Sequence, residues 1–339
     1  MVLPNTSLNE WLNSGVDPTL FALNVRELED DAPYSYLLYE INAASGKVHP
    51  DAQWRYARTK YGHLEAGGWW CSGLDPLDNW QPMLWGCFKP NHPRNAFDPK
   101  GKLKPIKYEH PPKTPTRAFF LQVPDQIWEK ISERYSVPIA EPDRQRGFWQ
   151  WVWANNIPVI IVEGAKKAGC LLTLGYAAIA LPGVTGGVRT KDLSGDKCDP
   201  YLIPELQHFA TQGREVYICF DRDTKRQTIQ NVNREIDKLG QCFSAAKCPV
   251  KVIRLPGPEK GVDDFVVTRE RCRPDNSKLD SFPPSPSLPS GGEDAFSDLY
   301  KAAQAFGFWK TRQSWQLTHQ VALTLSQRYL GKPPFPSSG

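Results

Sequence analysis

The sequence predicts a mixed α/β fold built around a mostly parallel four-stranded sheet sandwiched by helices. One observation is the apolar run PVIIV at 158–162, which ends at Glu163 and Gly164. A second is the run VYICF at 216–220, which ends at Asp221. Runs of β-branched or aromatic residues, bounded by polar ones, are typical of parallel strands that are buried on both faces.

Strand-like and helix-like segments alternate along residues 151–267, which we interpret as the core domain. The further predicted elements are helices at 165–175, about 202–212 and 225–239, and strands at 177–181 and 250–255. This alternation indicates parallel strands joined by crossover helices.

The chain outside this core divides into three regions by composition. Residues 1–150 are rich in Trp, Pro and Gly and predict an irregular, β-rich, basic and aromatic module. Residues 268–293 contain SFPPSPSLPSGG, a composition typical of flexible linkers. The tail, 294–339, predicts one or two amphipathic helices. The strand-like pieces expected in the N-terminal module are 20–25, 35–41, 83–88 and 117–123.

Charge and cysteine usage restrict the location and partners of the protein. The 339 residues include 41 Lys+Arg and 37 Asp+Glu, a formal net charge of +4. This balance permits a polyanionic partner without requiring one. The chain has eight cysteines without a CxxC pair and a start unlike a signal peptide. Because no segment approaches the ~20 apolar residues of a membrane span, we expect a cytoplasmic protein with no membrane partner.

Carboxylates at the ends of two predicted strands define the candidate site. Glu163 follows one strand, and Asp221 and Asp223 follow another and point the same way because their spacing is two. Chemistry in open α/β sheets lies beyond the carboxyl ends of the strands. Three acids there repel one another unless a cation lies among them, and carboxylates suit Mg²⁺ or Mn²⁺. The sequence therefore predicts a divalent-metal site, with Asp263 and Asp264 as further ligands.

Basic residues around these acids predict contacts with nucleic acid. Lys166 and Lys167 lie on the first turn of the helix after Glu163, where phosphate binding is favoured. A basic segment, 89–107, is interleaved with aromatic residues, which suits a single strand, although a solvated loop is the alternative. The candidate DNA-binding residues are Lys89, Arg94, Lys104, Lys107, Lys166, Lys167, Arg222 and Lys260.

Three short motifs resemble the signature elements of the TOPRIM fold, which topoisomerases, bacterial-type primases and some nucleases share. They are VEGAKKA at 162–168, DRD at 221–223 and KGVDDF at 260–265. The resemblance implies that Glu163 is a general acid/base or a metal ligand. It further implies that Asp221 and Asp223 hold a divalent ion.

A second resemblance covers most of the chain. WGCFKP at 85–90, KYE at 107–109, NNIPVIIVEGAKKAG at 155–169 and ALPGV at 180–184 are similar to the N-terminal part of cyanobacterial plasmid replication initiators. Those proteins carry a TOPRIM-like domain followed by a helicase. The resemblance implies that the partners are single-stranded DNA at a plasmid origin and a helicase domain in the same polypeptide. The ending PPFPSSG fits removal of that helicase.

The predicted function is Mg²⁺- or Mn²⁺-dependent nicking of single-stranded DNA to initiate plasmid replication. If the cut is covalent, Tyr108 is the candidate nucleophile, because cations beside it would favour a phenolate. A metal-activated water is the alternative. Two other functions stay open, namely a primase that uses the same carboxylates and a DNA-binding module without catalysis.

Overall fold

The computed structural model describes residues 6–39, 58–98, 101–192, 194–271, 294, 296–307 and 309–310. Its helices are α1 Thr6–Leu12, α2 Pro18–Asn24, α3 Ala32–Leu37, α4 Asp125–Tyr135, α5 Glu141–Arg146, α6 Phe148–Ala154, α7 Ala165–Thr173, α8 Pro204–Phe209, α9 Arg226–Ala245, α10 Val262–Arg271 and α11 Ser297–Lys301. Its strands are β1 Val25–Leu28, β2 Gly68–Cys71, β3 Leu74–Asp75, β4 Gln81–Pro82, β5 Cys87–Pro90, β6 Asn95–Phe97, β7 Leu103–Pro105, β8 Val159–Glu163, β9 Ala178–Leu181, β10 Val188–Lys191, β11 Lys197–Leu202, β12 Val216–Cys219, β13 Val250–Val252 and β14 Gln304–Ala305.

A five-stranded sheet forms the centre of the described chain, in the order β14–β13–β12–β8–β9. The pairs β13–β12, β12–β8 and β8–β9 are parallel. The predicted mixed α/β core with mostly parallel strands is therefore confirmed. The edge strand β14 is antiparallel to β13 and comes from the tail, where only helices were expected. Residues 311–331 of the predicted helical tail, and most of the predicted linker, lie outside the described residues.

Burial explains why these segments form the core. The side chains of β8 from Val159 to Val162 are fully buried, as expected for a strand covered on both faces. The long helix α9 is amphipathic and turns Ile236, Leu239 and Phe243 inward. Among the described residues, every helix is too short or too polar to cross a membrane.

Two strands expected in the N-terminal region are wrong, because helix-starting residues precede them. The segment predicted as a strand at 20–25 lies largely in α2, where Asp17 accepts a hydrogen bond from the Thr19 amide and Pro18 occupies the first turn. The segment at 35–41 overlaps α3, which also has a proline in its first turn. Strand β5 overlaps the prediction at 83–88, and the segment at 117–123 contributes a single bridge, Phe119 to Ala180.

The N-terminal region and the central sheet share one hydrophobic core. Trp11, Trp69 and Phe120 belong to the same buried cluster as Ile160 and Ile218. Strands β1, β2 and β5 form an antiparallel sheet whose register places Trp69 opposite Lys89. This shared core holds residues from the first 110 positions against the carboxyl end of the central sheet.

Candidate functional site

Glu163 and Asp221 lie at the carboxyl ends of two neighbouring strands of the central sheet. Strands β8 and β12 are parallel and adjacent, with Val162 opposite Cys219. Glu163 is the last residue of β8, and Asp221 lies just beyond the end of β12. This topology agrees with the sequence prediction that both acids lie at the carboxyl end of the sheet.

The two carboxyl groups influence each other electrostatically. Burial raises the pKa of Glu163, and the negative charge of Asp221 raises it further. Burial also raises the pKa of Asp221, although Lys167 opposes this effect. A buried acid beside a second acid holds its proton more tightly than a solvated one. Glu163 is therefore suited to donate a proton to a leaving group.

Lys167 lies among the acids rather than on an open phosphate-binding surface. Its Nζ is 3.1 Å from Oδ1 of Asp221. Burial opposes its charged form, but the attraction of Asp221, Asp263 and Glu163 outweighs burial and raises the pKa of Lys167. The ammonium thus supplies a positive charge inside the acidic cluster.

The third acidic element places Asp263 beside this cluster and leaves Asp264 on the surface. Asp263 is 7% exposed, and its Oδ1 has no hydrogen-bond partner. Asp264 is exposed on the same first turn of α10. A buried carboxylate oxygen without a donor is costly, and a bound cation would satisfy it.

Asp223 differs from Glu163 and Asp221 in its surroundings. Its Oδ1 accepts the amide hydrogen of Lys225 at 2.9 Å, and its Oδ2 lies 3.7 Å from the Lys260 ammonium. The backbone hydrogen bond from Lys225, helped by Lys260, lowers the pKa of Asp223. Asp223 is therefore ionised and fixed in the turn that precedes α9.

The donor set fits a hard divalent cation, although the described residues contain no preassembled group of three His, Cys, Asp or Glu ligands. The unpartnered Asp263 oxygen and the mutual repulsion of Glu163 and Asp221 both favour a positive charge between them. Asp221 and Asp263 are the residues that would hold Mg²⁺ or Mn²⁺, and Glu163 would act beside them as the proton donor.

A cavity of about 160 Å³ opens beside Glu163. Trp69, Tyr108 and Asp263 contribute to its wall, as do Lys166 and Lys167. The fold thus brings together basic, acidic and aromatic residues that are far apart in the sequence.

Tyr108 reaches this cavity, but its environment does not favour a phenolate. Burial raises the pKa of Tyr108, and the charges of Glu10 and Asp263 raise it further. The ammonium of Lys104, one of the cations expected beside the phenolate, pairs with Asp98 at 2.8 Å instead. The nucleophile role of Tyr108 therefore stays a prediction, which the raised pKa of its hydroxyl disfavours. Its ring instead packs edge-on against Trp69, with centroids 5.9 Å apart.

The predicted DNA-binding residues occupy different settings. Arg94 donates two hydrogen bonds to the buried Glu109, at 2.6 and 3.0 Å, which gives it a structural partner. The amide of Arg222 donates to the carbonyl of Lys260 at 2.8 Å, so these residues come from adjoining loops. Lys107 is exposed.

Sequence reasoning missed Glu10, whose carboxylate contacts both Lys89 and Lys166. Glu10 is 156 residues from Lys166 in the chain, and no local motif marks it. His110 was also missed. It stacks on Trp85 with centroids 4.9 Å apart and contributes to the cavity wall, and burial lowers its pKa.

The chain is similar to known proteins over different lengths. Residues 148–271 match a family described as a domain of unknown function, DUF3854. Over 336 residues the chain is 40% identical to an uncharacterized protein of Picosynechococcus sp. (strain ATCC 27264 / PCC 7002 / PR-6). That alignment covers 96% of this chain and 30% of the relative, so the chain spans less than a third of its length.

Among solved structures, the chain is similar to the Aquifex aeolicus primase, crystallised as its zinc-binding and RNA polymerase domains. The similarity covers 79% of this chain and 54% of the primase chain, at 12% identity and a TM-score of 0.40.

Proposed function

We propose that this chain is a TOPRIM-type domain that nicks single-stranded DNA with the help of Mg²⁺ or Mn²⁺. The observation that carries the proposal is the acidic cluster at one sheet edge. There Glu163 and Asp221 interact electrostatically, and the buried Asp263 Oδ1 has no hydrogen-bond partner. Such a cluster is suited to hold a metal ion at a phosphodiester.

Each residue of the cluster has a separate task in this mechanism. A bound ion would supply activation of a water molecule and neutralisation of charge on the phosphodiester. Glu163, whose pKa is raised by burial, delivers a proton to the leaving oxygen. Asp221 and Asp263 would hold the ion, and Lys167 offsets charge that develops nearby.

Water is the nucleophile that the surroundings favour over Tyr108. Burial and two neighbouring acids keep the tyrosine hydroxyl protonated by raising its pKa. We therefore assign Tyr108 to stacking beneath a base at the mouth of the cavity. Aromatic rings beside basic residues bind single strands in this way.

The biological setting is also part of the proposal. The Picosynechococcus relative is more than three times as long as this chain, which covers 30% of it. Together with the resemblance to cyanobacterial plasmid replication initiators, this supports a longer replication protein. In it, the domain would nick a plasmid origin and pass the strand to a helicase in the same polypeptide.

The test is cleavage of an end-labelled single-stranded oligonucleotide with MgCl₂ or MnCl₂. We expect Glu163→Gln, and Asp221→Ala combined with Asp223→Ala, to abolish cutting while the far-UV circular dichroism spectrum is retained. Asp199→Ala is the matched control, because Asp199 is an exposed acid on β11 and should cut normally. Full cutting by the double variant would contradict the site assignment.

Two additions to the same assay separate the alternatives. The first addition is labelled ribonucleotides, because synthesis of new RNA would indicate a primase. DNA that is bound but left uncut would indicate a binding module. Products are also run after protease digestion. Two protein-free ends are expected from attack by water, whereas a protein-linked end would restore a tyrosine nucleophile.

A further inference from the structure

Three donors from separate parts of the chain converge on the carboxylate of Glu10. Its Oε2 accepts from Lys89 Nζ at 2.6 Å and from Trp69 Nε1 at 3.1 Å. Its Oε1 accepts from Lys166 Nζ at 2.7 Å. Two ammonium groups and an indole N–H around one carboxylate form a preformed anion-binding site.

The carboxylate in this site is ionised and within reach of solvent. Burial alone would raise the pKa of Glu10, but hydrogen bonds from Lys166, Lys89 and Trp69 outweigh burial and lower it. The side chains of Glu10, Lys89 and Lys166 are 24%, 33% and 22% exposed. An anion from solution can therefore reach the same donors.

The fold places this site on regular elements and close to the candidate catalytic cavity. Trp69 and Lys89 face each other across β2 and β5, and Lys166 lies in the first turn of α7. Trp69 and Lys166 also line the cavity that contains Glu163. A phosphate bound here would lie next to the position where we propose that cutting occurs.

Helix α1 is held in place by a residue other than Glu10. The neighbouring Trp11 is fully buried and packs edge-on against Trp69, with centroids 5.6 Å apart. The Glu10 side chain can therefore leave the three donors without undocking the helix.

We propose that Lys89, Lys166 and Trp69 form a binding site for a backbone phosphate of single-stranded DNA, and that the Glu10 carboxylate occupies this site until the strand displaces it. The inference rests on the proposed function, because it takes a single strand as the substrate. In this arrangement Glu10 is a built-in competitor. It pairs with both lysines in the free protein and weakens the binding of any strand that has to displace it.

The test measures binding of a fluorescent oligo(dT) by anisotropy in EDTA, so that cutting plays no part in the readout. Glu10→Gln removes the competing charge, and we expect binding to tighten roughly 3- to 10-fold at low salt. The slope of log affinity against log salt should steepen by about 0.7, the value for one more net phosphate contact on a single strand. Lys89→Gln and Lys166→Gln should each weaken binding.

Glu235→Gln is the matched control. Glu235 pairs with Lys238 at 2.7 Å on α9, so the variant removes an equal charge and a similar ion pair. Its affinity and salt slope should equal those of the wild type.

Unchanged or weaker binding by Glu10→Gln, with a lowered thermal midpoint, would overturn the proposal and assign Glu10 to a structural role. If that variant fails to fold, the lysine variants test the proposal, since normal oligo(dT) binding by both would also overturn it.

Binding of inorganic phosphate provides a further test. Millimolar phosphate that is bound by Lys89 and Lys166 without weakening oligo(dT) binding would show a free-phosphate site instead. The cutting assay is independent, because a protein that binds as expected but never cuts would contradict only the nicking proposal.

Discussion

The Lys167 ammonium lies 3.1 Å from a carboxylate oxygen of Asp221, and the two side chains are only 19% and 15% exposed. This pair lies at the carboxyl end of the central sheet, where we propose that a metal ion binds. Glu163 and Asp263 also act on Lys167 electrostatically and help to raise its pKa. The lysine is therefore an internal counter-charge for the acidic cluster.

Replacing Lys167 by Met should make the stability of the protein more dependent on divalent cations. Removing one partner of a buried ion pair leaves the acids without their counter-charge, and we expect a loss of roughly 1–3 kcal/mol in EDTA. Added MgCl₂ should restore part of this loss. Thermal unfolding with and without MgCl₂ measures both effects. Lys238→Met, which breaks an ion pair with Glu235 away from the acidic cluster, is the control, and an equal Mg²⁺ response in both variants would contradict the prediction.

Replacing Glu163 by Gln should stabilise the metal-free protein at neutral pH. Because the pKa of Glu163 is raised in the folded state, the folded chain binds more protons than the unfolded chain between the two pKa values. The free energy of unfolding therefore falls as pH rises through that window. Glu163→Gln should remove this loss. At pH values above that window, the free energy of unfolding of the variant should exceed that of the wild type by about 0.5–2 kcal/mol.

Urea unfolding in EDTA at several pH values between about 4 and 8 checks this sign. The wild type and the variant should converge at the acidic end and diverge at the neutral end. Part of the slope should persist in the variant, because burial also raises the pKa of Asp221. A variant that is less stable than the wild type at neutral pH would show that Glu163 makes net favourable contacts.

Replacing Gly261 by Ala should disturb the cluster without disturbing the sheet. A Cβ at this position would overlap Asp263 Oδ1 and lie 2.7 Å from Lys167 Cε. Both atoms are near the ends of flexible side chains, which can shift at low cost in stability, so the change should reduce cutting more than it reduces oligo(dT) binding. Gly62→Ala is the control, since a Cβ there meets nothing within 4 Å. Normal cutting by Gly261→Ala would show that the cluster tolerates displacement.

Replacing Gly240 by Ala should release the edge strand that the tail contributes. A Cβ on Gly240 would lie 2.6 Å from Phe306 Cδ2 and 2.7 Å from its Cζ. We expect faster hydrogen exchange in β14 and a destabilisation of roughly 1–3 kcal/mol. Adding Phe306→Ala should make space for the new methyl group. The double variant should therefore be destabilised by less than the sum of the two single variants. Strict additivity would argue against this contact.

Local patterns were enough to predict the central strands and the acids beyond them. The runs that became β8 and β12 are continuously apolar because both faces of the sheet are covered, and their ends fix the positions of Glu163 and Asp221. In the N-terminal region, however, α2 and α3 were mistaken for strands. Their short apolar segments fit either structure, and the preceding Asp17 and the prolines decide for helices.

The sequence by itself determined the α/β class, the order of the parallel strands along the chain and the types of side chain at their ends, because these depend on residues that are neighbours in the chain. Only the tertiary structure decided that Lys167 lies among the acids, that Glu10 holds Lys89 and Lys166, and that the charges of Glu10 and Asp263 act on Tyr108. Those relationships join side chains up to 156 residues apart. The contacts of Glu10 and Tyr108 arise from packing of the N-terminal region on the sheet, and the setting of Lys167 arises from packing of α7 beside the loop after β12. No local periodicity encodes either.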